Sequence, residues 1–129
     1  MKKITLQDIF SAAWQAFVVE KKPPAMEFRG ERFKCRYITN GGRRCAVGLC
    51  IPDGHIGMQN DGPVSMLIED HPDLFDIQSR VEADKLQALL HDSLCDEVTG
   101  EWAFSHKEIE GSYYHAAAEF NLTVPEVVA

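Results

Sequence analysis

The segment KCRYITNGGRRCAVGLCIPDG, residues 34–54, decides how this chain is expected to fold and which chemistry it is able to hold. It contains three of the four cysteines, Cys35, Cys45 and Cys50, and a pair of adjacent glycines. Three interpretations are open: a metal site, a catalytic thiol on a turn, or a hairpin that supplies side chains to a core. Each interpretation places the sulfur atoms differently.

The residues around Cys35 alternate in polarity with the period of a half-buried β-strand. One face of this strand carries Phe33, Cys35 and Tyr37, and the other face carries the basic side chains of Arg32, Lys34 and Arg36. Asn40-Gly41 then supplies the positive φ angles of a tight turn. A hairpin and cysteine-rich segment is therefore predicted over residues 32–53.

Residues 44–51, RCAVGLCI, fit two local structures. They form either the returning strand of the hairpin or a short helix that begins near Cys45, and Gly48 weakens both. We expect a short strand or turn that leads into a brief helix. The turn signal Pro52-Asp53-Gly54 ends this element.

An amphipathic helix is predicted over residues 1–20, because its apolar side chains recur at i, i+3, i+4 and i+7. Thr5 is placed to cap its N-terminus. Residues 21–31 are predicted to be a surface connection, since Pro23 and Pro24 do not continue a helix.

The remainder of the chain, residues 61–122, is predicted to be mainly helical. Capping-box patterns at Ser79 and Ser105 mark two helix starts. The sequence therefore predicts one α+β domain over residues 1–129, in which one β-hairpin packs with about four α-helices.

The charge of the chain is unevenly distributed. The 129 residues carry a net charge of −7. Residues 1–45 carry ten Lys or Arg and four Asp or Glu, a balance of +6, whereas residues 46–129 carry three and sixteen, a balance of −13. This acidic excess argues against direct binding of nucleic acid and favours a charged protein partner.

The sequence also bears on the compartment. No apolar run approaches the roughly 20 residues of a membrane-spanning helix. The N-terminus begins like a secretory signal, but Gln7, Asp8 and Gln15 interrupt its apolar stretch. We therefore expect a cytoplasmic protein with no membrane contact, with reduced cysteines and without a cofactor.

One alternative is a zinc-stabilised module. Cys35, Cys45, Cys50 and His55 have the ligand types that zinc takes in tetrahedral sites. However, no two of these cysteines have the C-x2-C spacing that is most typical of a zinc knuckle. In a regular strand Cys45 and Cys50 would also point to opposite faces. Buried cysteines of a core are the favoured interpretation.

A second alternative is a cysteine-dependent hydrolase or transferase. If Cys45 begins a helix, the exposed amides and nearby basic side chains would favour its thiolate. His91 with Asp92, or else His106 or His115, would serve as the base. Asp92 is not expected to orient the His91 ring, because the side chains of adjacent residues in one helix point apart. Burial of Cys45 would instead raise its pKa.

The glycine turn carries a third candidate site. NGGRR, residues 40–44, offers backbone amides together with the guanidinium groups of Arg43 and Arg44, which suit a phosphate or carboxylate. It lacks the spacing of a P-loop. A hairpin turn with solvated arginines has the same pattern.

The order Cys35-x-Tyr37, Gly41-Gly42, RCAVG at residues 44–48 and IPD at residues 51–53 resembles small hypothetical proteins of bacteria and their phages. In those proteins a CAxG…IPD segment precedes two or three helices. The resemblance implies a compact accessory protein in the cytoplasm of a bacterial host cell. It assigns no catalytic residue.

These observations lead to one main hypothesis about function. The protein is expected to be a non-catalytic binding protein, a phage- or prophage-type inhibitor that docks on a host nucleic-acid-handling or antiviral defence protein. An acidic helical face would meet a basic groove of that host protein. The expected contact residues are Glu82, Asp84, Asp92, Asp96, Glu97, Glu101 and Trp102.

Overall fold

The computed structural model describes residues 3–55 and 62–125. Its described part contains one two-stranded antiparallel sheet and four α-helices, which confirms the α+β fold. The elements are α1 (Leu6–Ala13), β1 (Met26–Arg29), β2 (Arg32–Cys35), α2 (Val64–Asp70), α3 (Arg80–Leu90) and α4 (His106–Phe120). Asp61, where the helical part is predicted to begin, lies outside the described residues, as do residues 1–2 and 126–129.

The N-terminal helix begins at its predicted cap. The Thr5 hydroxyl accepts a hydrogen bond from the Asp8 amide, and the Asp8 carboxylate accepts one from the Thr5 amide. After α1 the backbone continues as a π-helix from Trp14 to Val19. The helical segment therefore ends one residue before the predicted boundary at residue 20.

The β-hairpin lies earlier in the chain than the sequence predicts. Its strands pair with Met26 opposite Cys35 and Arg29 opposite Arg32. Strand β1 occupies part of residues 21–31, the predicted connection, so that boundary is wrong. Gly30 has φ of 74° and makes the tight turn between the strands, because glycine adopts the left-handed region without steric cost.

The predicted turn at Asn40-Gly41 does reverse the chain, but no returning strand follows it. A single antiparallel bridge joins Ile38 to Arg44. The chain then enters a short 3-10 helix from Gly48 to Cys50, as the expectation of a turn and a brief helix requires. A Cβ atom at Gly48 would lie only 2.0 Å from the Tyr37 carbonyl oxygen, so only glycine fits there.

Helices α3 and α4 begin where the sequence indicates. The Ser79 and Ser105 hydroxyls accept hydrogen bonds from the amides three residues further on. Asn121 ends α4 in the left-handed conformation with φ of 55°. The capping pattern therefore predicts both helix starts correctly.

The core joins the N-terminal helix to α4. Phe10 and Trp14 both pack their rings against Tyr113, with centroids 5.7 and 6.1 Å apart. All three side chains are buried. Within residues 3–55 and 62–125, no helix combines the length and the apolar character needed to cross a membrane.

Candidate functional site

Two cysteines and a histidine from distant parts of the chain meet beside the hairpin. The sulfur atoms of Cys35 and Cys95 and a ring nitrogen of His91 all lie within 4.8 Å of one another. Cys35 ends β2, whereas His91 and Cys95 flank the 3-10 helix Asp92–Leu94 that follows α3. His91 is fully buried, and the two cysteines are half-buried.

The end of α3 is held by α4, and this fixes His91. The Tyr113 hydroxyl donates a hydrogen bond of 2.7 Å to the Leu90 carbonyl, and the Ser112 hydroxyl donates one of 2.7 Å to the Leu89 carbonyl. The last carbonyls of a helix have no N–H partner within the helix, and these hydroxyls supply hydrogen bonds to two of them. The chain leaves helical geometry at His91, where φ is −149° and ψ is −65°.

This change of backbone direction brings His91 and Asp92 together. His91 Nδ1 lies 2.8 Å from Asp92 Oδ1, although adjacent residues of one helix would point apart. The expectation that Asp92 does not orient His91 is therefore wrong, because His91 lies outside the helix. The side-chain amide of Gln87 donates a second hydrogen bond, of 2.9 Å, to the same carboxylate oxygen of Asp92.

The other ring nitrogen of His91 is occupied by the backbone. The Ala25 amide donates a hydrogen bond of 2.9 Å to Nε2, which must keep its lone pair to accept it. In this geometry the ring is the neutral tautomer with its proton on Nδ1. Nε2 gains a proton only if the Ala25 hydrogen bond breaks.

The charge state of His91 is set by opposing effects. Burial lowers its pKa, but the hydrogen bond to Asp92 and the neighbouring Cys35 raise the pKa to about 9. The Ala25 amide opposes the cation, because two N–H groups would face each other at Nε2. The neutral ring is therefore the form that matches the hydrogen bonds of the structure.

Cys95 and Trp102 form one side of the site. An antiparallel bridge joins them across the turn of residues 96–101. The Cys95 sulfur lies 3.1 Å from the His91 carbonyl oxygen and 3.9 Å from His91 Nδ1. The Trp102 ring packs edge-on against His91, and its indole N–H donates to the Lys22 carbonyl. Trp102 is therefore a half-buried wall of this site.

The two thiols differ in acidity. The hydrogen bond with Cys95 lowers the pKa of Cys35, burial raises it, and His91 lowers it further, with a net value of about 6. The interaction with Cys35 raises the pKa of Cys95 well above its ordinary range, and burial adds to this. Cys35 is the thiolate of the pair, and Cys95 keeps its proton.

Cys35 opens onto two cavities. The larger has a volume of about 350 Å³ and includes Tyr37, Asp84, Gln87 and Asp92 in its wall. The smaller, of about 250 Å³, is also bounded by Cys95 and by the hairpin side chains Phe33 and Lys34. The thiolate is thus accessible from outside the core.

The predicted metal ligands do not come together. Among the described residues, Cys35 is the only member of the predicted set in the cluster, whose other members are His91 and Cys95. Cys45 is buried in the core, and His55 packs against the ring of His71. The predicted ligand set Cys35, Cys45, Cys50 and His55 does not form a site, because the chain turns at residues 40–43 and carries Cys45 into the core.

Cys45 is not placed as a nucleophile. It is 1% exposed, and burial raises its pKa to about 12. Its sulfur accepts a hydrogen bond from the Gly48 amide at 3.4 Å. Burial likewise raises the pKa of Cys50 to about 12. The predicted pairing of Cys45 with His91 is therefore replaced by the pairing of His91 with Cys35 and Cys95.

The two candidate anion-binding arginines have different surroundings. The Arg44 guanidinium donates to the carbonyls of Gly48 and Ile51 and pairs with Asp53, so it stabilises the turn after the 3-10 helix. Arg43 is exposed and lines an open cavity of about 410 Å³ with Lys22. Arg43 stays a candidate contact for an anion, whereas Arg44 has a structural role.

The predicted acidic face is not one helical face. α3 ends at Leu90, so five of the expected contact residues lie beyond it, in the 3-10 helix and the following turn. Asp84 accepts from the Ser65 amide, and Asp96 accepts from the Val98 and Thr99 amides. Glu97 pairs with Arg32. Glu82 and Glu101 are exposed.

Comparison of the chain with protein-family models, with curated proteins and with solved structures gave no match.

One signal in the sequence points to the site. Asp84, Gln87, His91 and Cys95 follow one another at i, i+3, i+7 and i+11, the spacing of one helix face. This polar row runs beside an apolar row on the same segment. Its first three members lie in or directly after α3.

Proposed function

We propose that the protein is a thiol–disulfide oxidoreductase module, in which Cys35 is the attacking thiol and Cys95 the resolving thiol. The observation that supports this is the approach of the two sulfur atoms to within 4.8 Å beside His91. The low pKa of Cys35 favours the nucleophilic thiolate at neutral pH, which is what the first step requires.

The chemistry balances in two displacements. The Cys35 thiolate attacks one sulfur of a disulfide substrate, the substrate S–S bond breaks, and a mixed disulfide and a free thiolate form. Cys95 then loses its proton to solvent and attacks the Cys35 sulfur, which releases the second substrate thiolate. The protein loses two electrons and forms a Cys35–Cys95 disulfide, and the substrate is reduced to two thiols.

The hydrogen bonds of His91 favour this chemistry over hydrolysis or group transfer. A general base needs a free lone pair facing the nucleophile. In His91 the Nε2 lone pair accepts from Ala25, and Nδ1 carries the proton that faces Asp92. The ring therefore has no free lone pair with which to take a proton from either sulfur atom.

The same hydrogen bonds disfavour zinc at this cluster. A histidine binds zinc through a deprotonated ring nitrogen, and its other nitrogen usually donates a hydrogen bond. Here Nδ1, the nitrogen beside the sulfur atoms, would have to lose its proton while Nε2 still accepts from Ala25. Such a ring would be an anion in a buried position.

The test is to oxidise the reduced protein with a disulfide buffer and map the products by peptide mass spectrometry. We expect a Cys35–Cys95 disulfide in the wild type and a trapped mixed disulfide on Cys35 in Cys95→Ser. Cys50→Ser serves as the matched control and should behave like the wild type. Absence of a Cys35–Cys95 link would contradict the proposal. So would one equivalent of zinc that is lost in Cys95→Ser.

A second candidate is the host-directed binding role. Exposed apolar side chains lie next to exposed acidic residues, Val81 beside Glu82 and Val98 beside Glu97. A surface that exposes both apolar and acidic side chains would suit a partner that offers apolar and basic groups. The proposed partner is a host protein with a basic nucleic-acid-binding groove, in the cytoplasm of a bacterial cell.

Affinity for an immobilised basic protein, measured at low and high salt, tests this second candidate. We expect binding at low salt that weakens as salt is added, and weaker binding of Glu82→Gln. Affinity that does not change with salt would contradict the electrostatic contact.

A further inference from the structure

We infer that the cavity beside Cys35 is a subsite for small disulfides that carry a cationic group, such as an aminothiol disulfide. This inference rests on the proposed function, because it assigns the substrate class of the same thiol pair. It is drawn from the cavity of about 350 Å³, which has Cys35 in its wall and a volume typical of small-molecule sites.

The carboxylates of the cavity wall have acceptor capacity to spare. Asp84 accepts from the Ser65 amide through Oδ1, and Asp92 accepts from Gln87 and His91 through its own Oδ1. In each of these two carboxylates, the described hydrogen bonds thus involve Oδ1 alone. Each Oδ2 atom remains able to accept a hydrogen bond from a ligand, and an ammonium group donates three.

The charge of the wall favours a cation over an anion. Among the described residues that line this cavity, Arg36 is the one cationic side chain, and its guanidinium pairs with Glu27 at 3.0 Å. The two aspartates have no such cationic partner among the described ion pairs apart from His91, which is neutral in this geometry. A carboxylate-bearing disulfide would therefore be repelled near Cys35.

The wall is also rigid. Gln87 is 4% exposed, and its side chain joins the Val47 amide to Asp92 through hydrogen bonds of 3.0 and 2.9 Å. Tyr37 donates to the Gly62 carbonyl at 2.8 Å. These hydrogen bonds hold the cavity wall in place before a ligand binds, so binding does not carry the entropic cost of ordering the wall.

Three disulfides of similar length and different charge test the inference on the full chain. They are cystamine, which carries two ammonium groups, neutral bis(2-hydroxyethyl) disulfide, and anionic 3,3′-dithiodipropionate. The rate of Cys35 oxidation is measured for each. It is divided by the rate of the same disulfide with N-acetylcysteine amide, a thiol without a carboxylate, which removes differences between the leaving groups.

We expect the normalised rate for cystamine to exceed that of the neutral disulfide by about tenfold, as one charge-assisted hydrogen bond provides. The anionic disulfide should be slowest. Asp84→Asn keeps an oxygen for the Ser65 amide and removes the charge, so it should lose most of the preference for cystamine. Glu82→Gln, on the same helix but exposed, should retain that preference.

The two ideas fail in different ways. If Cys35 reacts with none of the three disulfides, the proposed function is contradicted. If it reacts with all three at equal normalised rates, or if Asp84→Asn and Glu82→Gln behave alike, the cationic subsite is contradicted and the thiol chemistry stands.

Discussion

The Ala25 amide donates a hydrogen bond of 2.9 Å to Nε2 of His91, 66 residues further along the chain. Ala25 immediately precedes β1, and His91 immediately follows α3. This one contact therefore joins the hairpin to the helical part of the fold. It also decides the chemistry of the ring, since the nitrogen that accepts a backbone hydrogen bond is not free to act as a base or to bind a metal.

The first prediction concerns the tautomer of His91. In nitrogen-15-labelled protein, long-range proton–nitrogen correlations should place the ring proton on Nδ1, with Nε2 unprotonated, because Ala25 donates to Nε2. The exposed His115 provides the control, since its ring is free to exchange with water. A proton found on Nε2 would contradict the assignment and restore zinc binding or base catalysis at this ring.

The second prediction concerns the reactivity of the cysteines as a function of pH. The pKa of Cys35 is lowered to about 6, so its thiolate is present across neutral pH and disappears only as pH falls through about 6. Alkylation of Cys35 by iodoacetamide should rise through a midpoint near that pH. At pH 7 it should exceed alkylation of Cys45 by more than about tenfold, since Cys45 remains a thiol.

The same measurement on Cys95→Ala isolates the main cause of the shift. Loss of the Cys95 hydrogen bond should raise the pKa of Cys35 and move the midpoint to higher pH, because this interaction is the largest one that lowers it. Cys50→Ala is the matched control and should leave the midpoint in place. An unchanged midpoint in Cys95→Ala would show that the two thiols are not coupled.

Much of the fold follows from local sequence signals. The caps at Thr5 and Ser105 depend on side chains three residues further on, and these are visible in the sequence. The first strand of the hairpin was missed because it depends on a contact with another strand and not on a local signal. MEFR alternates apolar and polar residues, but a run of only four residues beside Pro23 and Pro24 is too short to indicate a strand, and its pairing with β2 is what makes it one.

The candidate site was less accessible to prediction. Cys35 and His91 were predicted as site residues in separate hypotheses, and Cys95 was in neither of them. No local pattern shows that the end of β2 lies over the end of α3, because that approach depends on contacts between residues far apart in the chain. The spacing of Asp84, Gln87, His91 and Cys95 is visible in the sequence, and it indicates the side of the site that the segment after α3 provides.

The third prediction concerns the close approach of the backbone at Gly48. Gly48→Ala should lower the free energy of unfolding by about 3 kcal/mol, because the added Cβ meets the Tyr37 carbonyl, a backbone group that does not move away easily. Gly111→Ala is the control. Its Cβ meets nothing within 4 Å on the exposed side of α4, and it should raise stability by about 0.5–1 kcal/mol.

Urea denaturation followed by circular dichroism measures both variants. Equal stability of Gly48→Ala and the wild type would mean that the 3-10 helix of residues 48–50 does not pack against Tyr37 as described. Destabilisation by Gly111→Ala would contradict the placement of Gly111 in a regular exposed helix.

The last prediction concerns the support of the site by α4. The Tyr113 hydroxyl donates to the Leu90 carbonyl inside the core, and Tyr113→Phe leaves that carbonyl without this partner. We expect a loss of about 1–3 kcal/mol in the free energy of unfolding, the cost of an unsatisfied buried acceptor. Tyr114→Phe, the exposed neighbour, should change stability by less than about 0.5 kcal/mol.

The effect of Tyr113→Phe should extend to the thiols. Leu90 directly precedes His91, so a looser end of α3 moves the ring that helps to hold the Cys35 thiolate. We therefore expect the midpoint of Cys35 alkylation to rise in Tyr113→Phe and to stay constant in Tyr114→Phe. If Tyr113→Phe loses stability while the midpoint is unchanged, the hydroxyl stabilises the core without positioning His91, and the proposed link between α4 and the dithiol is wrong.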